Sequence, residues 1–193
     1  MKILAFSDLH GSKAALKRLL DKAEGVDALV CAGDFTQFGE GATKVMTGLQ
    51  RVKRPVFAIH GNHEVPAFIQ DLAKKFPFLR PIHKRVQVFQ GVAFFGFGGG
   101  GFAKVEPELE RILKVFKRPK GPLVFVTHAP PFGTRLDSLP GGHRGCQSSR
   151  AFIERFKPVL AISGHFHETA SRRDAVGGTI LINPGPEGKI LRI

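Results

Sequence analysis

The sequence predicts an α/β protein in which two mainly mixed β-sheets pack face to face, with helices on the outside. Short apolar runs alternate with amphipathic stretches in the first part of the chain, as expected for strands joined by helices. Further on, two apolar runs flank Gln90-Gly91, which is a hairpin signal, and several short strands follow near the C-terminus. No repeat, low-complexity tract or linker divides the 193 residues, so we expect a single domain over residues 1–193.

The first part predicts three strands, each followed by a helix. Residues 2–6 form an apolar run, and Ser12 is placed to cap a helix that continues to about Ala23, with Leu16 and Leu19 at helical spacing. The next elements are a strand over 27–31, a helix near 42–52, a strand over 55–60 and a helix over 65–75. Because strand–helix–strand units have right-handed crossovers, we expect this sheet to be largely parallel.

The second part predicts the hairpin, two helices and further strands. The expected elements are strands over 86–89 and 92–95, a helix over 107–117, a strand over 123–127, a helix over 147–156, and strands over 159–163, 169–175, 179–182 and 190–193. We expect the last strands to form an antiparallel meander. Residues 129–146 are rich in proline and glycine and predict a long loop, and long loops in compact domains are usually functional or disordered.

The chain is strongly basic, with a formal net charge of +13 and a pI near 10.3. Such an excess favours an anionic partner, either a phosphorylated small molecule or a nucleic acid. The alternatives are solubility or the charged surface of a heat-adapted protein, and the presence of only two asparagines is typical of the latter. Tyrosine and tryptophan are absent, and most phenylalanines lie in apolar runs, so we expect these rings in the core rather than stacked on bases.

The cysteines and the hydropathy pattern indicate a cytoplasmic protein. Cys31 ends an apolar run and predicts a core residue, whereas Cys146 lies in a polar loop where it could be exposed. Two such cysteines form no disulfide framework, which indicates a reducing compartment. The apolar N-terminal stretch is too short for a signal peptide, and no segment approaches the roughly 20 apolar residues of a membrane span.

Five short segments place metal-ligand side chains at predicted strand ends or beside glycines. They are Asp8-Leu9-His10, Gly33-Asp34, Gly61-Asn62-His63-Glu64, Thr127-His128 and Gly164-His165-Phe166-His167. Ligands of open α/β sheets bind where the carboxyl ends of strands meet loops, so these segments are expected to converge. Mixed oxygen and imidazole donors favour Mn, Fe, Zn, Ni or Co over Ca or Mg. Two such ions about 3.5–4 Å apart can clamp a phosphoryl group and generate hydroxide at neutral pH.

Each of these residues also has an ordinary structural interpretation. A single histidine at a strand end is more often a hydrogen-bonded structural residue, Asp8 or Asp34 could cap a turn, and Asn62 could simply adopt a left-handed turn. The ordered combination of all five segments favours a metal centre instead.

The ordered set resembles the calcineurin-like metallophosphoesterase superfamily, whose pattern is D-x-H, G-D, G-N-H-[ED], H and G-H-x-H. The resemblance extends from Asp8 to His167 and implies an α/β/β/α sandwich with two metal ions, manganese being favoured. It implies that the first ion is bound by Asp8, His10, Asp34 and His167. It implies that the second is bound by Asp34, Asn62, His128 and His165, so that Asp34 is shared.

The resemblance further implies hydrolysis of a phosphoester, with metal-bound hydroxide as nucleophile and His63 protonating the departing alkoxide. The Asp-Arg-Gly that protein phosphatases of the superfamily carry after the G-D motif is missing, since the chain has Gly33-Asp-Phe-Thr-Gln-Phe-Gly39. Small stand-alone members of the superfamily are commonly phosphodiesterases, and Asn62-His63 keeps the leaving-group histidine, so the resemblance implies a phosphodiesterase acting on a nucleotide-like or other small diester. The alternatives are a metal-dependent nuclease acting on DNA or RNA, a phosphomonoesterase, and a non-catalytic metal-binding scaffold.

The remaining candidates are weaker. His143 and Arg144, in the long loop, either contact the substrate phosphate or are solvated. His60 is expected to be structural, His83 to be solvated, and Glu64 to favour the start of the third helix through the helix dipole.

One glycine-rich segment imitates a nucleotide-binding motif. Residues 96–101 satisfy G-x-G-x-x-G, but a dinucleotide site requires a helix to open directly from that turn. The next predicted helix begins only at Pro107, so we expect a loop beside the pocket instead.

Overall fold

The computed structural model describes all residues from 1 to 193 and contains two large β-sheets. The strands are β1 (Lys2–Phe6), β2 (Ala28–Cys31), β3 (Val56–Ala58), β4 (Leu79–Pro81), β5 (Val86–Phe89), β6 (Val92–Phe97), β7 (Leu123–Thr127), β8 (Ser138–Leu139), β9 (Gly142–His143), β10 (Leu160–Ile162), β11 (Arg173–Val176), β12 (Thr179–Ile182) and β13 (Lys189–Arg192). The helices are α1 (Lys13–Asp21), α2 (Ala42–Gln50), α3 (Pro66–Lys75), α4 (Pro107–Val115) and α5 (Gln147–Phe156).

Both large sheets are parallel at their centres, and the first has one antiparallel edge whereas the second has two. The first has the order β13-β1-β2-β3-β4, in which only β13 runs antiparallel to its neighbour. The second has the order β11-β12-β10-β7-β6-β5, with β5 and β11 antiparallel at its two edges. The prediction of two mainly mixed sheets with helices outside is therefore confirmed.

Three apolar cores hold the layers together, one between the two sheets and one between each sheet and its helices. The central strands are therefore buried on both faces. In β1, Ile3 and Ala5 point into the core between the sheets, whereas Leu4 and Phe6 pack under the first three helices. In β7 the same alternation places Val124 between the sheets and Phe125 beneath α4 and α5. This period of two is what a strand covered on both sides requires.

The C-terminal strands differ from the predicted meander. β11 and β12 form the expected antiparallel hairpin, but β13 crosses to the other sheet and pairs with β1. The strand predicted over 169–175 begins only at Arg173, since residues 167–169 form a 3₁₀ turn. The Asn183 amide holds that turn by donating to Phe166 O at 3.0 Å and to Thr169 Oγ1 at 3.0 Å.

The loop over 129–146 is more ordered than its composition predicts. It contains the two-stranded ribbon of β8 and β9, and Asp137 accepts hydrogen bonds from the backbone N–H groups of Gly133, Thr134 and Gly145. Cys146 ends this loop fully buried, contrary to the exposure considered for it. No helix of the chain has both the length and the apolar character needed to cross a membrane.

Candidate metal centre

All seven predicted metal ligands lie at one rim of the molecule. They follow the carboxyl ends of strands from both sheets: Asp8 and His10 follow β1, Asp34 follows β2, Asn62 follows β3, His128 follows β7, and His165 and His167 follow β10. Parallel strands whose carboxyl ends meet at one edge bring distant segments together. The centre therefore depends on both sheets.

Four of these residues have backbone angles that side chains normally avoid. The φ angles of Asp8, His10, Asp34 and His165 are 56°, 45°, 52° and 70°. A left-handed conformation is uncommon outside glycine, and clusters of it are typical of functional sites, where surrounding structure maintains the strain. Here the strand-end turns rotate the ligands towards a common point.

Two glycines leave room for the carboxylates. A Cβ on Gly61 would overlap the Asp34 carboxylate, and one on Gly164 would lie 2.6 Å from Asp8 Oδ2. Neither glycine has a positive φ, so the requirement is for space rather than for conformation. The motif glycines thus let backbone approach the ligands closely.

The first group of donors consists of Asp8, His10 and His167. The Nε2 atoms of the two histidines are 3.2 Å apart, and His167 Nε2 lies 3.9 Å from Asp8 Oδ1. One donor atom from each residue lies within 4.8 Å of the others, which is compact enough for shared coordination of an ion.

The second group consists of Asp34, Asn62, His128 and His165. Asn62 Oδ1 lies 2.9 Å from His128 Nε2 and 3.0 Å from His165 Nδ1. His128 Nε2 is also 3.3 Å from Asp34 Oδ2. Asp34 additionally belongs to a compact group with His10, so its carboxylate lies between the two sets of donors.

The arrangement around His128 fits a bound cation. His128 Nδ1 lies 2.8 Å from Ala32 O, and because a carbonyl only accepts, this nitrogen carries the proton of the neutral ring. The lone pair of Nε2 then points at the oxygens of Asn62 and Asp34, which are acceptors themselves. A cation among these atoms would satisfy all three, so these side chains fit the divalent ion that their chemistry predicts.

The pKa values of the candidate ligands agree with the binding of a cation at this site. Burial opposes ionisation of Asp34, but the hydrogen bond and charge of His128 lower the pKa of the carboxyl to about 2. Burial lowers the pKa of His165 to about 4, and it also lowers the pKa of His10. Burial opposes protonation of His128, yet Asp34 raises its pKa overall. Protonation of His128 and binding of a cation by its neutral ring are thus alternative ways of placing positive charge among these oxygens.

His63 lies at the same rim but is held mainly by its backbone. Its N–H donates to Asp34 Oδ1 at 2.9 Å, while its ring Nε2 is 3.9 Å from Asp34 Oδ2. The ring contacts His10 edge-on and stacks on Phe38, with centroids 4.2 Å apart. Its buried Nδ1 has no hydrogen-bond partner.

Glu64 acts beneath the centre rather than through a helix dipole. Its buried carboxylate accepts hydrogen bonds from the backbone N–H groups of Asp34, Thr36 and Gly61, and from the Thr36 hydroxyl. Burial raises the pKa of Glu64, whereas these donors act in the opposite direction. Glu64 therefore joins two of the ligand-bearing turns, a role that its position in the motif did not indicate.

The centre opens into a cleft of about 520 Å³. Its lining residues are His10, Asp34, Gln37, Asn62, His63, Phe102, His165 and His167. Sequence reasoning did not select Gln37 or Phe102, because neither residue type has a metal-ligand pattern that would identify it.

His143 and Arg144 do not line this cleft. The ring of His143 instead pairs with the buried carboxylate of Asp137, with His143 Nδ1 and Asp137 Oδ1 2.8 Å apart. The structure therefore places these two residues in the ribbon of the long loop, apart from the seven candidate ligands.

His60 and His83 form a pair beside the centre. Their ring centroids are 4.5 Å apart, and His83 Nδ1 accepts a hydrogen bond from Gly98 N at 2.9 Å. His83 is thus packed rather than solvated, because it holds the start of the glycine-rich loop. That loop does not open into a helix, since α4 begins only at Pro107.

Comparisons with known proteins show the family and the fold of this chain. Residues 1–169 match the family described as calcineurin-like phosphoesterase. An uncharacterized protein of Methanocaldococcus jannaschii is 31% identical, covering 97% of this chain and 89% of its own. A protein of Thermus thermophilus has a similar structure, with a TM-score of 0.73, 18% identity and coverage of 95% and 88%. A dimetal phosphatase from Danio rerio has a TM-score of 0.66, 11% identity and coverage of 94% and 86%.

Proposed function

We propose that this chain, which belongs to the calcineurin-like phosphoesterase family, is a two-metal phosphodiesterase acting on a nucleotide-like or other small diester. Family membership implies metal-dependent hydrolysis of a phosphoester, and the chain carries candidate ligand residues for a dinuclear centre. The preference for a diester, the assignment of the individual ligands and the choice of manganese are the proposed parts.

The convergence of acceptor atoms around Asp34 is the observation that supports the proposal most strongly. We assign one ion to Asp8, His10, Asp34 and His167, and the other to Asp34, Asn62, His128 and His165. Against the effect of burial, the hydrogen bond and charge of His128 lower the pKa of Asp34 to about 2, which favours its ionised form. An ionised carboxylate between two donor groups would be suited to hold two divalent ions close together.

The lining of the cleft favours a diester over a monoester. None of its eight lining residues is Lys or Arg, although the chain has 29 such residues. A monoester dianion carries one more negative charge than a diester and is commonly held by arginine, whose planar fork matches phosphate oxygens. A cleft without such a side chain is better matched to a monoanionic diester.

The residues of the chain supply positioning and a proton. When bound, two divalent ions would polarise phosphoryl oxygens and lower the pKa of water. His63 lies at the edge of the cleft, where we propose that its ring donates a proton to the departing oxygen. The hydrogen bond from His63 N to Asp34 Oδ1 fixes the His63 backbone relative to the candidate ligands, and this keeps the ring of the candidate acid beside the centre.

Hydrolysis of bis(p-nitrophenyl) phosphate with Mn²⁺, with and without EDTA, tests the proposal. We expect metal-dependent turnover that falls by at least about 100-fold in Asp34→Asn, because the charge between the donor groups is lost. Asp71→Asn is the matched control, since Asp71 is an exposed residue that pairs with Lys74 on α3. Turnover that persists in EDTA, or equally in Asp34→Asn, would contradict the mechanism.

The same preparation separates the alternatives. A nuclease that uses the basic surface would cleave DNA or RNA with a steep loss of activity as salt rises, whereas turnover of a small diester should respond weakly. Faster hydrolysis of p-nitrophenyl phosphate than of its diester would indicate a phosphomonoesterase. Metal binding without turnover of either ester would indicate a non-catalytic scaffold.

A further inference from the structure

Two phenylalanines beside the candidate metal centre are exposed, although this residue type otherwise fills the cores. Of the 18 phenylalanines, only Phe38 and Phe102 are largely exposed, with 71% and 83% of their surfaces accessible. Phe38 stacks on His63, and Phe102 meets His165 edge-on with centroids 5.0 Å apart. Each ring thus contacts a different histidine of the same centre, which scattered surface hydrophobics would not do.

Phe38 is held in a strained position. Its φ is 51°, which is a genuine outlier for an aromatic residue, and it lies in a turn where Glu40 N donates to Gln37 O at 2.9 Å. Thr36 Oγ1 accepts from Gly39 N at 3.1 Å, closing the turn from its other side. The ring centroids of Phe38 and His63 are 4.2 Å apart at an interplanar angle of 20°, so Phe38 lies nearly parallel to the candidate acid. His63 itself lines the cleft, although Phe38 does not.

The support for this turn reaches beneath the centre. Glu64 accepts hydrogen bonds from both the N–H and the hydroxyl of Thr36, each at 2.8 Å, and also from Asp34 N at 3.0 Å. The same buried carboxylate therefore fixes a candidate ligand and the turn that presents Phe38. Strain that is maintained in this way, at an exposed ring, indicates function rather than stability.

Phe102 is presented by the glycine-rich loop. Gly99, Gly100 and Gly101 all have positive φ, and a Cβ on Gly101 would lie 2.5 Å from His165 Nε2. The loop is fixed at its start by a hydrogen bond from Gly99 N to His60 O at 3.0 Å. Only glycine allows the backbone to approach His165 this closely, and the following ring then lines the cleft.

We propose that Phe38 and Phe102 bind an aromatic ring of the substrate, so that the enzyme prefers phosphodiesters bearing a nucleobase over alkyl diesters. This inference rests on the proposed function, because it concerns the group attached to the phosphate at that centre. The chain has no Tyr or Trp, so phenylalanine supplies the stacking surface. Stacking suits every base because every base has a π-face.

A pair of esters with one leaving group tests the inference. The p-nitrophenyl ester of thymidine 5′-monophosphate and ethyl p-nitrophenyl phosphate release the same phenolate and differ only in the retained group. We expect wild type to favour the nucleoside ester by roughly 10-fold or more in kcat/KM, the scale of one stacking contact. That ratio should fall to about one in the doubly substituted Phe38→Leu/Phe102→Leu protein, which keeps apolar bulk without an aromatic face.

Single substitutions and a neighbouring control locate the effect. Phe102→Ala should lower the ratio mainly through KM for the nucleoside ester, and truncation opens no core because this ring is 83% exposed. Val105→Ala is the matched control, since Val105 is 45% exposed near the same loop but does not line the cleft. An unchanged ratio in the double variant, or equal use of the two esters by wild type, would overturn the inference.

A binding measurement separates failure of this inference from failure of the proposed function. Metal-dependent hydrolysis of both esters at equal rates would retain the phosphodiesterase and remove the ring site. If neither ester is hydrolysed, calorimetry of the Mn²⁺-loaded protein still tests whether the two phenylalanines bind a nucleobase. Thymidine 5′-monophosphate should then bind roughly 10-fold more tightly than ethyl phosphate, and the Phe38→Leu/Phe102→Leu protein should lose that difference. Equal binding of the two ligands would overturn the inference there as well.

Discussion

His63 and His128 both lie close to the Asp34 carboxylate but are held in different ways. The ring of His128 is fully buried and fixed by Ala32 O, so its free nitrogen points at oxygens in the donor group. The ring of His63 has no such fixed partner, and 19% of its side chain is accessible from the cleft. The first arrangement suits a ligand, and the second suits a group that exchanges a proton with substrate.

His63→Ala should therefore spare metal binding and slow turnover according to the leaving group. For a dinucleoside monophosphate, which releases a sugar alkoxide, we expect a loss of roughly 100-fold or more in kcat, as for removal of a general acid. For a p-nitrophenyl diester the loss should be much smaller, because p-nitrophenolate leaves without protonation. The measurement is kcat for both substrates, with manganese content per chain as control. An equal loss on both substrates would argue against the proton-donor role.

At this scale the sequence identified the candidate ligands but not their supports. The candidate ligands directly follow strand ends or adjoin glycines, so their positions can be recognised in the linear sequence. Glu64 was assigned to a helix dipole because its four donors come from turns that are distant in sequence. Phe38 and Phe102 were not selected, because only the phenylalanines in apolar runs were assigned a place, and exposure depends on packing that composition does not reveal.

The turn between β3 and α3 is the element on which the geometry of the centre depends most. It supplies Asn62 and His63, and its Gly61 packs directly against Asp34 and His128. The Asp34 carboxylate also accepts from His63 N within this turn. Displacing one part of the turn should consequently move ligands contributed by three strands.

Gly61→Ala should disrupt metal binding with little effect elsewhere. The added Cβ would overlap the Asp34 carboxylate and lie 2.7 Å from His128 Cε1, so we expect affinity for Mn²⁺ to fall by at least about 10–100-fold. Gly177→Ala is a suitable control, because its Cβ would meet nothing within 4 Å. With φ at 53° it should lower the free energy of unfolding by about 1 kcal/mol but leave metal binding intact. Calorimetry and urea denaturation measure both quantities, and unaltered affinity in Gly61→Ala would refute this account of the turn.

Helices and strands were predicted correctly where their own sequence determines the structure. The predictions failed where the structure depends on pairing with a segment that is distant in sequence. Helix α1 begins after the predicted cap, with Ser12 Oγ accepting from Ala15 N. β13, by contrast, has no feature in its own sequence that specifies β1 as partner rather than β12. The turn over 167–169 resembled a strand because the Asn183 amide that stabilises it lies on another segment.

At the scale of the molecule, the two sheets each provide part of the candidate centre. Asp8, Asp34 and Asn62 come from the first sheet, whereas His128 and His165 come from the second. The core between the sheets fixes their relative position, with Phe57 of one sheet stacked on Phe94 of the other at 4.3 Å. We propose on this basis that the chain acts as one domain, since neither sheet alone carries a complete donor group.

The central claim is that two metal ions at this shared rim are needed for hydrolysis. The most direct measurement titrates Mn²⁺ into EDTA-stripped protein, at a protein concentration well above the dissociation constants, while following hydrolysis of bis(p-nitrophenyl) phosphate. The account predicts no turnover without metal and a rise that reaches its plateau at two equivalents per chain. Full turnover in the stripped protein, or a plateau at a single equivalent, would contradict it.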